Sequence, residues 1–112
     1  MIDAASIREI MSVYAKYGWV LRRILLSEPL RSSIADIAGT FGEVPVLRSD
    51  LDAAWFSRPP NGGPVAWEIR HLSTSPYALL EHIDEGSPSV EDDLAIVENR
   101  LRSSLSDKRS GH

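Results

Sequence analysis

The chain contains no cysteine. Disulfides, thiolate nucleophiles, iron–sulfur clusters and cysteine-ligated zinc are therefore excluded. A small secreted domain ordinarily needs disulfide staples, so the cytoplasm is the expected location. Lysine is almost missing as well: beyond Lys16 and Lys108, every other one of the 12 basic residues is arginine. Arginine's planar fork suits paired contacts with carboxylates better than diffuse solvation. Positive charge is in deficit overall, with a net charge of −4 and a pI of about 5.3. That balance argues against nucleic acid, whose binding rests on clustered Lys and Arg neutralising phosphates, and against an anionic membrane surface. No long apolar run occurs. The opening MIDAASIREI carries Asp3 and reads as neither a signal peptide nor a membrane span.

The 112 residues, 43% hydrophobic and 25% charged, suit one modest globular core with no room for a second. Charge is unevenly spread. Residues 1–80 are neutral, residues 81–98 carry seven acids and no Lys or Arg, and residues 99–112 carry a net +3. We expect one α+β domain over residues 1–106 and a disordered tail over 107–112, DKRSGH.

The clearest local signal is Leu51–Leu72, LDAAWFSRPPNGGPVAWEIRHL. Two runs of strand-forming residues, each with an Ala-Trp pair, flank a Pro- and Gly-rich turn, which is the pattern of a β-hairpin over 51–58 and 65–72. With Trp55 facing Trp67, the apolar residues gather on one face and Asp52, Phe56, Arg58, Glu68 and Arg70 occupy a mostly polar one. With Phe56 facing Trp67 instead, Asp52 meets His71. The first register is preferred, because burying each tryptophan is worth about 1.5–3 kcal/mol. The run Trp19–Leu26 either continues the first helix or forms a third strand. Its Trp, Val and Ile, and the break at Gly18, favour the strand. The expected sheet is therefore small and antiparallel.

Helices are expected over about 3–17, 76–84 and 88–106. The first has an apolar stripe of Ile7, Ile10, Met11, Tyr14 and Tyr17, with Asp3 or Ser6 as cap and Gly18 as stop. A short helix is also expected over Ser32–Thr40. Ser75 followed by Pro76 is a helix-start signal for the third. The last has acids Glu91, Asp92 and Asp93 at its start and Arg100 and Arg102 towards its end, matching the helix dipole. The order helix–strand–strand–strand–helix resembles that of double-stranded-RNA-binding-type folds and the small RNase toxins built on them. The basic surface and Gly-Ser-His-type strand motif of those toxins are missing, so the likeness is one of topology and carries no function.

No phosphate loop, nucleophile elbow or His-Glu-x-x-His motif is present, and no catalytic residue, cofactor or metal is expected. His82 and Glu85 stand at helix spacing and His71 could add a third ligand, but exposed surface residues account for them more simply. Trp55, Phe56 and Trp67 could stack on single-stranded bases; core packing fits the acidic pI better. Arg58, Glu68 and Arg70 align on the polar face of the hairpin, as cross-strand pairs or as an anion clamp.

The seam Val90, Leu94, Val97, Leu101 and Leu105 either packs on the chain's own sheet or contacts another helix. The acidic block followed by a basic one would match an antiparallel copy of itself. The expected function is an interaction or regulatory protein, not an enzyme, acting through a protein surface and associating with itself as a homodimer or with another protein. The alternative is a small-molecule-binding protein or enzyme, with a pocket drawing on Arg58, Arg70, His71 and His82.

Overall fold

The computed structural model describes residues 1–59 and 64–109. The first helix, α1 (Ala4–Lys16), starts where the Asp3 carboxylate accepts the Ser6 N–H at 2.8 Å. It ends at Gly18, whose φ of +86° suits a residue without a Cβ. Strand β1 (Val20–Leu26) follows directly, as its β-branched Val20 and Ile24 favour. The chain then crosses through two short helices, α2 (Glu28–Ser33) and α3 (Ile37–Phe41), in place of the one helix expected over Ser32–Thr40. Ile34 is extended between them. Strand β2 (Val46–Arg48) returns parallel to β1, a pairing that requires such a crossover.

Strands β3 (Ala53–Arg58) and β4 (Val65–His71) form the expected hairpin; the turn residues 60–63 lie outside the described residues. The register is shifted from the expected one. Trp55 lies opposite Ile69, and Ser57 lies opposite Trp67. The slip is two residues, so every side chain keeps its expected face while its cross-strand partner changes. Trp55 and Trp67 still meet, diagonally, with ring centroids 5.9 Å apart and edge to face.

The segment Pro76–Asp84 is not the expected helix. It forms strand β5 (Ala78–Ile83), antiparallel to β4 from Val65–Ile83 to Arg70–Ala78. Ala, Leu and Glu prefer helices, but a nine-residue helix is marginal alone, whereas the open edge of β4 offers a full ladder of hydrogen bonds. Helix α4 (Val90–Arg109) closes the fold. It runs into the stretch expected as tail; residues 110–112 lie outside the described residues. The sheet is thus five-stranded and mixed, in the order β2-β1-β3-β4-β5, and not small and wholly antiparallel.

Strand β3 is buried from Ala53 to Ser57, so both faces of the sheet are core there. Ala54 and Phe56 pack beneath α1 with Ile7, Ile24, Leu26, Leu30 and Phe41. Ala53, Trp55, Trp67 and Ile69 pack above α4 with Leu94, Val97 and Leu101. The face carrying Phe56 was expected to be mostly polar; α1 and the two crossover helices make it a second apolar layer.

Arginine forks fasten α4 to the sheet and its loops. Arg23 grips Glu91 through two bonds of 3.0 Å, Arg100 meets Glu81 at 3.0 Å, and Arg102 meets Asp50 at 2.9 Å. The bond from Arg23, and then its charge, hold the Glu91 carboxyl below its ordinary value. Changing Leu101, which is fully buried, to Ala should cost about 2–5 kcal/mol, while changing neighbouring Arg100 to Ala should cost less than about 1 kcal/mol. Urea unfolding followed by tryptophan fluorescence measures both.

Candidate functional site

The sheet has an upper face under α1 and a lower face on α4. Alternation along β4 sends Glu68 and Arg70 to the upper face and His71 to the lower one. Arg58, at the end of β3, stacks over Trp19 with its guanidinium carbon 4.8 Å from the ring centroid. His71 lines a polar pocket of about 230 Å³ with Asp50, Asp52 and Arg102. His82 is exposed on β5, beside a shallow recess that also involves Asp93 and Ile96. The four groups Arg58, Arg70, His71 and His82 are therefore dispersed and share no pocket. His82 and Glu85 lose the helical spacing that put them on one face, because His82 is in a strand. Among the described residues no cluster of three or more His, Asp and Glu could hold a metal ion.

The candidate interface seam is spent inside the chain. Leu94, Val97 and Leu101 are buried against Trp55, Trp67 and Ile69, and Val90 and Leu105 pack at the margin of the same cluster. The acidic block is also engaged internally. Glu81, Glu85 and Glu91 pair with Arg100, Arg22 and Arg23, and Glu98 accepts the Trp55 indole N–H at 2.8 Å. An antiparallel copy docked along α4 has neither the apolar seam nor those carboxylates left to meet.

Two groupings escaped sequence reasoning. The first is centred on Arg22. The β1–β3 register shifts between Leu21, opposite Phe56, and Arg23, opposite Trp55, so Arg22 is the extra residue of a bulge. Its guanidinium donates to Ser57 Oγ at 2.9 Å and Glu85 Oε2 at 3.1 Å, and lies 4.7 Å from the Trp67 ring centroid. Glu85 Oε2 also accepts the Trp67 indole N–H at 3.0 Å. The bulge thus satisfies the buried Ser57 hydroxyl and the polar edge of a buried tryptophan, which is a packing role.

The second grouping lies where α1 crosses the upper face of β4. The Tyr14 ring stacks on Phe56 with centroids 4.0 Å apart, and its hydroxyl donates to the Glu68 carboxylate. Arg70 stands two residues further along the same face. Its Nη1 donates to the carbonyls of His71 and Ser75, tying β4 to the loop that follows. Between α1 and this part of β4 lies a cleft of about 380 Å³. Ile2, Ile10 and Val13 give it an apolar wall, and Glu9, Arg70 and Thr74 carry its polar groups. Tyr14 and Glu68 are 54 residues apart in sequence, and no short-range pattern signals such a pair.

A scan against protein-family models gave no match, and searches of curated proteins and of solved structures gave none either. No helix among the described residues is long and apolar enough to cross a membrane.

Burial of the phenol, and then its bond to Glu68, push the Tyr14 pKa well above the ordinary 10.0. The folded chain holds this proton more tightly than the unfolded chain does. Its stabilising effect is therefore complete below about pH 10 and is lost as pH rises towards the folded-state value. Tyr14→Phe should cost about 1–2 kcal/mol at pH 7, and that difference should shrink steadily above about pH 10. Urea titrations of both proteins at neutral and alkaline pH report it.

Proposed function

We propose that the chain is a self-associating interaction protein in which two copies join along the free edge of β5. The observation that carries this reading is the asymmetry of the two sheet edges. Strand β2 is blunted: it has three residues, follows Pro45 directly and ends in Arg48. Strand β5 has six residues in unbroken register with β4, and its sequence ALLEHI contains no Pro and no Lys. Natural edges are ordinarily protected by Pro, by charges such as Lys, by bulges or by shortness; β5 has no Pro or bulge, and its one carboxylate, Glu81, is paired with Arg100 of α4. Large apolar side chains flank it as well: Leu80 is 51% exposed on β5, and Ile96 is 58% exposed on the neighbouring α4.

A second copy is the occupant that its side chains fit. A two-fold axis perpendicular to the sheet leaves each face on its own side, so residues of like parity must stand opposite one another. Centred on Leu80, such a pairing sets Leu80 against Leu80 and Ala78 against His82. Centred on Glu81, it would oppose two carboxylates, which disfavours that register. Backbone hydrogen bonds would supply affinity, and the leucine contact would supply register. With no cysteine to form a stabilising disulfide, the cytoplasm is the location this reading adopts.

Sedimentation equilibrium over a concentration series tests it. The wild-type chain should dimerise. Leu80→Lys should weaken the dimer by at least about tenfold while circular dichroism and melting stay unchanged, since the side chain is exposed. A wild-type chain that stays monomeric, or a Leu80→Lys variant that dimerises equally well, overturns the proposal.

A further inference from the structure

We infer that the cleft between α1 and the upper face of β4 binds a small organic carboxylate with an apolar body. The cation at its wall is the starting point. Arg22, Arg23, Arg48, Arg100 and Arg102 each have a carboxylate within 3.2 Å. Arg8, Arg31, Arg58 and Arg70 have none at ion-pair distance among the described residues, and of these four Arg70 alone lines the cleft. Glu68, two residues back on the same face, is engaged by the Tyr14 hydroxyl. Arg70 is nonetheless held in place. Nη1 is anchored on the carbonyls of His71 and Ser75, while Nη2 and Nε keep their N–H donors uncommitted among the described residues. A positioned guanidinium with spare forked donors is the group that receives a carboxylate through two parallel bonds.

The rest of the cleft sets the class of ligand. Ile2, Ile10 and Val13 line it along α1, and Val13 is 49% exposed for want of a covering group. A hydrocarbon chain lying along these side chains would remove that surface from water. The volume of about 380 Å³ falls in the lower part of the range of small-molecule sites. One guanidinium can take one carboxylate, and the Glu9 carboxylate on the same cleft opposes any anion, so a monoanion is favoured over a dianion. A phosphate dianion would face Glu9 and Glu68 with one cation to balance it. The Thr74 hydroxyl lies beside the same opening and can donate to the polar end of the ligand, whereas that of Ser73 already donates to the Ser75 carbonyl at 2.9 Å. This site is separate from the β5 edge, so it stands whether or not the chain dimerises there.

Octanoate is the probe, titrated at low salt into the isotopically labelled full chain and followed by amide chemical shifts. Octanol and octylamine serve as neutral and charge-reversed controls. Octanoate should give saturable shifts concentrated in residues 2–14 and 70–74. Arg70→Gln should weaken it at least about tenfold. Glu9→Gln, which removes a like charge at an exposed position, should tighten it about two- to fivefold. Octanol or octylamine binding as tightly as octanoate, or no saturable shift with octanoate, overturns the inference. Arg70 also ties down the loop after β4, so Arg70→Gln can lose binding for structural reasons. Glu9→Gln carries no such ambiguity, and unchanged or weaker octanoate binding in that variant refutes the site.

Discussion

Strand β3 must be covered on both sides, and the arrangement of every other element follows from that need. Trp55 and Phe56 are adjacent in sequence and fully buried on opposite faces. A sheet with one solvated face could not hold them both. The chain therefore places α1 and the two crossover helices on one side of β3 and α4 on the other. Strands β1 and β4 pair with its two edges, which leaves the centre of the sheet dry above and below.

Cover is limited by width. A helix with its side chains is about 10–12 Å across, and neighbouring strands are about 4.8 Å apart, so one helix shields roughly two strands. The upper face receives α1 together with Leu30, Ile34 and Phe41 from the crossover, all over the β2-β1-β3 side. On the upper side α1 reaches β4 at its margin, where Tyr14 meets Glu68, and no helix of the described residues covers β5. The side chains of these two strands on that side are Glu68, Arg70, Leu80 and His82, with Leu80 and His82 exposed. The cleft beside α1 and the open edge at β5 both result from this half-finished cover. On the lower face α4 is long enough to lie beneath Trp55, Trp67 and Ile83 together. Its three arginine pairs, individually weak at the surface, add direction to a contact that apolar packing alone would leave free to slide.

Much of the fold was legible because local rules agreed with the final structure. The Asp3 cap, the stop at Gly18, the strand at Val20–Leu26 and the amphipathic last helix each followed from residues close in sequence. The faces of the hairpin were also legible, since parity survives a two-residue slip. The register was not, because residues 59–64 exceed a two-residue turn and fix no alignment. The segment Ala78–Ile83 misled because its residues prefer helix and only the distant edge of β4 decides otherwise. The two-layered burial of β3 was hidden for a related reason: Phe56 looks like a lone apolar residue on a polar face until α1 is folded onto it. The site residues behaved likewise. Arg58, Arg70, His71 and His82 were grouped by chemical type, and strand alternation then scattered them. The partners that matter, Tyr14 with Glu68 and Arg22 with Glu85, are 54 and 63 residues apart.

The position of α4 after the whole sheet has a consequence for synthesis. The upper layer is built from segments that leave the ribosome before or between the strands they cover. The lower layer must wait for the last long segment of the described chain. Until α4 emerges, Trp55, Trp67 and Ile69 form a broad aromatic and aliphatic surface open to water and to other nascent chains. At typical elongation rates of about 5–20 residues per second, that window lasts on the order of seconds. A chain stalled or cut near Gly86 would keep its upper layer and all five strands yet display the surface that α4 hides. Quality-control factors that recognise exposed apolar area would thus meet a signal reporting whether synthesis had passed α4.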